Sequence, residues 1–196
     1  MRIFLIATLL WGAASRLAGQ WYAGVEISAT RYGGSSRDTA STHAASQGRP
    51  GDATVLHLRV GRNWRRYGIA VRVARSKPGL AVTGHGVNLT DKTGGGLTEV
   101  ATIASARVGG IGPSGAVRME LGPALHLWSF DNDARSRVGA NGAVVYEWLF
   151  DGRFTASVRV EGMLSKSWFD PGDVPPEYQR QVTWRYGVGL GLRYRP

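Results

Sequence analysis

Short segments in which apolar and polar side chains alternate strictly run through most of this 196-residue chain, and they constrain its fold more than any other feature. Alternation with a period of two is typical of β-strands whose two faces meet different surroundings. The pattern is clearest near the C-terminus, where one face carries arginines and glycines and the other carries Trp184, Tyr186, Val188, Leu190, Leu192 and Tyr194. No convincing apolar stripe with helical spacing follows residue 20, so the sequence predicts an all-β chain.

The segments and the connections between them predict an up-and-down antiparallel barrel. We expect eight strands, over 21–31, 54–64, 67–74, 99–108, 116–127, 143–150, 154–165 and 184–194. The alternation is weakest in the fourth strand, where Ile103 falls on the polar face. Short turns such as Asp151-Gly152, a strong hairpin signal, alternate with long connections over about 33–52, 77–97, 129–141 and 170–181. Antiparallel strands then place the long connections at one end of the barrel, the long-loop end. The short turns and both termini lie at the other, the short-turn end.

The direction of the apolar face decides between a soluble barrel and a membrane barrel. A soluble lipocalin-like barrel buries its apolar face, whereas a membrane barrel turns that face towards lipid and keeps a polar interior. Charges of both signs lie along the middle of the polar faces, and paired arginines and glutamates tolerate burial in a narrow lumen. We therefore predict a lumen charge network of Glu26, Arg59, Arg72, Arg107, Arg118, Glu120, Glu147, Arg159, Glu161 and Arg185.

Aromatic residues near the strand ends favour the membrane barrel. Trp184 and Tyr194 share the apolar face of one strand and lie roughly 26 Å apart along the barrel axis at ordinary rise and tilt, close to the apolar band of about 25 Å in such barrels. The sequence predicts a short-turn girdle and a long-loop girdle, formed respectively by Trp64, Tyr67, Phe150, Phe154 and Tyr194, and by Trp168, Trp184 and Tyr186. Because hydrocarbon cannot solvate a free sheet edge, the first and last strands must pair.

The N-terminus has the layout of a secretory signal. Arg2 precedes an uninterrupted apolar run over 3–14, and small residues follow, ending at Ala18-Gly19. We therefore predict a cleaved signal peptide over 1–19 and a barrel over 20–196. The formal net charge of +10 first suggests a nucleic-acid partner. An exported chain does not normally meet DNA, so we expect no nucleic-acid partner.

In its predicted architecture and its C-terminal stretch over 187–194, the chain resembles the small eight-stranded outer-membrane β-barrels of Gram-negative bacteria, the OmpA, OmpX and OmpW type. The terminal assembly signal of that family combines a glycine, a hydrophobic residue and a terminal aromatic, whereas this chain continues through Arg195 and Pro196. The resemblance covers 20–196 and rests on architecture rather than on a short motif. It implies a location in the cell outer membrane, insertion by the outer-membrane assembly machinery, and long loops outside the cell.

Catalytic and metal sites have little support in the sequence. An enzyme that deacylates lipid A would need a histidine beside a serine, yet His126 and Ser129 fall on opposite faces of one predicted strand. No third metal ligand accompanies His57 and His126, and the absence of cysteine excludes thiolate metal sites and disulfides. The acidic segment 131–133 is more simply interpreted as a solvated turn than as a weak calcium site. We expect no enzyme activity, no metal and no cofactor.

Two functions from different classes remain. The first is a structural or surface-interaction barrel whose external loops contact lipopolysaccharide or other surfaces. Guanidinium groups bind phosphates well, and the loop arginines that would do so are Arg37, Arg49, Arg135, Arg137 and Arg180. The alternative is a narrow channel for small or apolar solutes, although eight strands leave an interior only wide enough for side chains. A soluble lipocalin-like binding barrel and a lipid A-modifying enzyme are less favoured. We expect a monomer whose partners are outer-membrane lipid, lipopolysaccharide and the assembly machinery.

Overall fold

The computed structural model describes residues 19–38, 46–84, 87–91, 95–112, 114–130, 133–170, 172–173 and 176–196. Apart from Gly19, the predicted signal peptide lies outside these residues, as do Asp131 and Asn132. No helix in the described part of the chain is long and apolar enough to cross a membrane. The described strands are β1 (Gln20–Asp38), β2 (Gln47–Pro50), β3 (Ala53–Asn63), β4 (Tyr67–Ser76), β5 (Leu80–Gly84), β6 (Val87–Asp91), β7 (Gly96–Gly109), β8 (Gly115–Phe130), β9 (Asp133–Asp151), β10 (Phe154–Ser165) and β11 (Tyr178–Tyr194).

Eight of the described strands form a closed antiparallel ring, in the order β1, β3, β4, β7, β8, β9, β10 and β11. The ring closes where β11 pairs with β1, in an uninterrupted register from Ala23 opposite Tyr194 to Gly33 opposite Trp184. Every ring strand therefore has two neighbours, and the apolar wall exposes no unpaired sheet edge. The predicted eight-stranded antiparallel barrel and the predicted pairing of its first and last strands are confirmed.

The side chains of the ring alternate between an apolar exterior and a polar interior. In β4 the burial alternates without a break, with Ile69, Val71 and Val73 exposed and Ala70 and Arg72 buried. Leu190 of β11 is 60% exposed although it lies in mid-strand. A soluble barrel would not expose a continuous belt of valine, leucine and isoleucine, because water penalises apolar surface. The exterior is therefore the lipid-facing surface of a membrane barrel, as the sequence predicts.

The long-loop end contains more strand than the sequence predicts. β2 pairs with the end of β1, β5 pairs with β2, and β6 pairs with β5, so the connections predicted over 33–52 and 77–97 carry three short strands. The connection predicted over 129–141 is also mostly strand, because β8 runs to Phe130 and β9 begins at Asp133. These segments are rich in small and polar residues, and no long alternation of apolar and polar residues marks them, because they lie beyond the part of the wall that faces lipid. Their sequence consequently resembles that of loops.

A bulge in β1 marks the transition from the ring to this extension. The register between β1 and β11 shifts between Gly33 and Ser35, and both Gly34 and Ser35 have positive φ angles, of 78° and 79°. A β-carbon at Gly34 would lie 1.8 Å from the carbonyl oxygen of Val182, so this position requires glycine. The hydroxyl group of Ser35 makes a 2.7 Å hydrogen bond with that of Thr183, which compensates for its less favourable backbone conformation.

Three inward-facing glycines of β11 leave room for side chains on the neighbouring strands. A β-carbon at Gly189 would lie 2.4 Å from Oγ of Ser28, and one at Gly191 would lie 2.6 Å from Oγ of Ser157. At Gly187 the same addition would meet Cγ2 of Thr30 at 2.7 Å. The glycine row therefore allows close packing inside a barrel whose lumen is narrow.

A charge on the mid-strand exterior should prevent stable insertion. We predict that Leu190→Arg destabilises the inserted barrel by about 2–4 kcal/mol, because the guanidinium would lie near the bilayer midplane. Phe150→Arg is the matched control: Phe150 is also exposed but lies at the short-turn end, where the expected cost is about 0–1 kcal/mol. Urea unfolding from lipid vesicles, monitored by the electrophoretic heat shift of folded barrels, compares the two. Equal costs for both variants would contradict the assignment of the lipid-facing surface.

Candidate functional site

The interior of the barrel holds a dense set of buried charges. With the long-loop end uppermost, they form an upper, a middle and a lower cluster. The structure places nine of the ten predicted network residues there and adds Glu99 and Arg193, so that the buried charged side chains among the described residues are Arg59, Arg72, Arg118, Arg159, Arg185, Arg193, Glu26, Glu99, Glu120, Glu147 and Glu161. Both added residues lie on the same alternating face as the others, which was the signal available in the sequence.

The upper cluster consists of Glu99 and Glu161 with Arg72 and Arg185. Arg72 donates to both carboxylates, at 2.9 Å each, and Nη2 of Arg185 lies 3.1 Å from Oε2 of Glu99. Glu99 is fully buried and also accepts a hydrogen bond from Asn141 at 2.9 Å. Two carboxylates therefore face two guanidinium groups, and the cluster is balanced when the nearby histidines are neutral.

Two histidines belong to this upper cluster. Nε2 of His126 lies 3.1 Å from Oε2 of Glu99, and Nε2 of His57 lies 3.0 Å from the hydroxyl of Ser28. Both rings are fully buried, so the structure places both histidines in the lumen, as the strand alternation predicts. Among the described residues, no group of three or more histidine, cysteine, aspartate or glutamate side chains could hold a metal ion.

The middle cluster repeats the same balance with Glu26 and Glu120 against Arg59 and Arg159. Arg159 reaches both carboxylates, donating to Glu26 and, at 3.0 Å, to Glu120. Arg59 does likewise, with Nη2 2.7 Å from Glu120 and Nη1 3.4 Å from Glu26. Each carboxylate is therefore shared by at least two guanidinium groups, which spreads the desolvation cost over several contacts.

The lower cluster contains more arginines than glutamates. Glu147 accepts hydrogen bonds from Arg118 at 3.0 Å and from Arg193, so that one carboxylate serves two guanidinium groups. Nη2 of Arg193 also lies 3.5 Å from both Glu26 and Glu120 of the middle cluster. The ring of Tyr22 lies beneath these contacts, 5.1 Å from the guanidinium carbon of Arg193.

An apolar aromatic cluster, called the plug below, covers the charged clusters at the long-loop end. It consists of Tyr32, Leu97, Trp128, Met163 and Trp168, with the rings of Trp128 and Trp168 stacked at a centroid distance of 5.3 Å. The guanidinium of Arg185 lies against Tyr32, 5.8 Å from its ring centre, and joins this plug to the upper cluster. The lumen is therefore filled by side chains from the charged clusters up to the plug.

The prediction that Trp168 belongs to the long-loop girdle is wrong, because Trp168 is a buried member of this plug. It follows the end of β10, so strand alternation no longer sets its direction. The chain instead folds inward over the mouth, where the backbone N–H of Trp168 donates to Oγ1 of Thr183 at 3.3 Å. Trp184 and Tyr186 remain on the exterior, stacked at 5.6 Å.

At the short-turn end, Tyr67, Phe150 and Tyr194 are exposed on the outside. Phe154 is half-buried, with its ring 5.3 Å from that of Tyr194. Trp64 is half-buried in the turn after β3 and lines the cavity at the short-turn mouth of the lumen, so the structure does not place it in the outer girdle. Trp21, which the predicted girdle does not contain, is 57% exposed at the same end, where the guanidinium of a neighbouring arginine lies over its ring.

Arg107 is the predicted network residue that the structure places elsewhere. It faces Arg118 across the β7–β8 ladder, yet its side chain is exposed and its Nε lies 3.5 Å from the carbonyl of Gly109. The ladder shifts register between Arg107 and Gly109, and β7 ends there. Arg107 therefore lies at the open mouth rather than within the buried network.

The long-loop arginines divide into two groups. Arg49, Arg135 and Arg137 already pair with aspartates, and Arg135 contacts both Asp133 and Asp173. Hydrogen bonding from Arg135 lowers the pKa of Asp173 below its ordinary value. The other two, Arg37 and Arg180, are exposed on the paired ends of β1 and β11, and no ion pair within the described residues involves them.

Solved structures show the same architecture. The crystal structure of Neisserial surface protein A is 9% identical over 90% of this chain and 97% of that chain, with a TM-score of 0.62. The solution structure of the E. coli outer membrane protein W is 13% identical over 92% of this chain and all of that one, with a TM-score of 0.50. No protein-family model and no curated protein matches the chain.

At such identities the similarity establishes the fold alone. This chain has the fold of the small eight-stranded outer-membrane β-barrels of Gram-negative bacteria, which confirms the resemblance stated from the sequence. The predicted outer-membrane location agrees with this fold and with the apolar exterior.

Removing one buried carboxylate should lower the free energy of unfolding far more than removing an exposed carboxylate does. We predict that Glu99→Gln lowers the free energy of unfolding by about 3–5 kcal/mol, because Arg72 and Arg185 would then share a single carboxylate in the upper cluster. Asp173→Asn removes an exposed ion pair and should cost less than about 1 kcal/mol. Urea titration of both variants in lipid vesicles measures the difference. Similar losses would show that the lumen charges are solvated.

Proposed function

We propose that the protein is a non-conducting outer-membrane barrel with a structural and surface-interaction role. The observation that carries this proposal is the filled lumen, in which three charged clusters and an aromatic plug follow one another along the barrel axis. Eight strands enclose a space just wide enough for side chains, and these side chains interlock. The contacts that stabilise the fold therefore close the interior instead of leaving a path for solutes through it.

The surface available to partners lies at the long-loop end. The extra strands β2, β5 and β6 continue the wall beyond the ring and provide an ordered platform. We expect its contact with lipopolysaccharide to come from Arg37 and Arg180, because the other three loop arginines already have carboxylate partners. The same proposal includes a monomeric barrel inserted by the outer-membrane assembly machinery.

A non-enzymatic role agrees with the positions of His126 and Ser129, the histidine–serine pair considered for a lipid A deacylase. His126 is buried in the lumen beside Glu99, whereas Ser129 is exposed at the end of β8. A histidine can activate a serine only within hydrogen-bond reach, and these two side chains lie on opposite faces of the wall.

A planar-bilayer recording tests the closed lumen. The folded wild-type barrel, verified by its electrophoretic heat shift before reconstitution, should give no stable conductance steps, because the buried side chains of the described strands fill the narrow lumen. Silent recordings from preparations shown to be inserted are the expected result. Stable, reproducible ion steps would contradict the proposal and favour the narrow channel.

Arg37 and Arg180, which form no ion pair within the described residues, should contribute to lipopolysaccharide binding. We predict that the double variant Arg37→Gln/Arg180→Gln binds immobilised lipopolysaccharide about fivefold more weakly, since each exposed ionic contact contributes about 0.5 kcal/mol. Arg66→Gln/Arg153→Gln removes the same charge from exposed residues at the short-turn end and should leave binding unchanged. Surface plasmon resonance of the detergent-solubilised barrel at two salt concentrations measures both. Equal weakening by the two pairs would mean that net charge alone attracts the barrel.

A further inference from the structure

Charge pairing is uneven along the lumen. The upper and middle clusters each match two arginines with two glutamates, whereas Arg118 and Arg193 share Glu147 in the lower cluster. Among the described residues, the buried interior consequently holds six arginines and five glutamates. One guanidinium charge lacks its own carboxylate, and it lies next to the short-turn mouth.

A cavity of about 500 Å³ adjoins this lower cluster. Four arginines and one glutamate line it, together with the half-buried Trp64, so that cations outnumber anions; the charged lining residues are Arg65, Arg107, Arg118, Arg195 and Glu147. A concave, partly water-excluded site of this size accommodates a small ligand. Clustered cations around it concentrate the field on an anion.

Two residues that line the cavity each have a buried hydrogen-bond donor with no partner within the described residues. The donors are Nη1 of Arg118 and the indole Nε1 of Trp64. Arg118 is only 7% exposed, so water does not readily compensate for its missing partner, and such a group is costly to leave unsatisfied. Its Nε is bound to Glu147 at 3.0 Å, which holds the guanidinium in place beside the cavity.

We propose that this cavity binds a phosphate-type oxyanion. After a small rotation of their side chains, Arg118 and Trp64 would donate hydrogen bonds to its oxygens. Arg65, Arg107 and Arg195 would supply the surrounding positive charge. A guanidinium pairs well with phosphate oxygens because its N–H groups match their geometry. The same chemistry occurs in free phosphate and in the headgroup of a phospholipid in the adjacent leaflet.

Isothermal titration of the folded barrel in zwitterionic detergent with inorganic phosphate tests the site. Wild-type protein should show one saturable site, and Arg118→Gln should weaken it by about tenfold or more, the effect of losing a hydrogen bond to a charged group. Glu147→Gln, which removes the competing carboxylate, should bind phosphate more tightly. Arg153→Gln removes the same charge from an exposed residue of the short-turn end that does not line the cavity and should bind as the wild type does.

Repeating the titration with phosphatidylglycerol added to the micelles distinguishes a phospholipid headgroup from free phosphate as the ligand. Competition by the lipid would assign the site to a headgroup, and undiminished phosphate binding would assign it to a soluble ligand; both support the site. Absence of saturable phosphate binding, or equal affinities for Arg118→Gln and Arg153→Gln, would overturn the proposal. If Glu147→Gln does not fold, the comparison of Arg118→Gln with Arg153→Gln still tests the phosphate site. The outcome does not depend on whether the barrel conducts ions in a bilayer.

Discussion

The pairing of buried arginines with buried glutamates is the interaction on which the rest of this barrel depends. An isolated charge inside a lipid-surrounded wall would cost several kcal/mol, and the lumen avoids this by sharing each carboxylate between guanidinium groups. Glu99 illustrates the density of these contacts, because it meets Arg72, Arg185, His126 and Asn141 together. The closed ring keeps these partners in place, and the inward glycines of β11 provide the space they occupy.

The same constraint explains why so much of the structure could be predicted from the sequence. A strand between lipid and a charged lumen must alternate strictly, so alternation alone identified eight strands and the direction of their faces. It also placed Arg59, Glu120 and Glu161 in the interior, where the structure has them. Ile103, which breaks the pattern, does face inward and belongs to a buried apolar cluster in the lumen that includes Tyr22.

Alternation carried no information where the chain leaves the lipid. The strands β5 and β6 have only five residues each and mix apolar with polar residues, so their ladder could not be distinguished from a loop. Trp168 follows the last residue of β10, and its burial against Trp128 depends on a tertiary contact rather than on a local pattern. Arg107 has the parity of a lumen residue, but the register shift at the end of β7 leaves it at the open mouth.

The central claim is a barrel with a lipid-facing apolar exterior and an interior sealed from water. Because the chain contains no cysteine, single cysteines placed in β4 test it directly: Val71 and Val73 are exposed, whereas Ala70 and Ala74 are buried. In lipid vesicles, a lipid-soluble maleimide should label Val71→Cys and Val73→Cys. Neither that reagent nor a water-soluble one should label Ala70→Cys or Ala74→Cys. Reaction of the water-soluble reagent at position 70 or 74 would contradict a sealed lumen, and lipid-soluble labelling confined to those two positions would contradict the orientation of the wall.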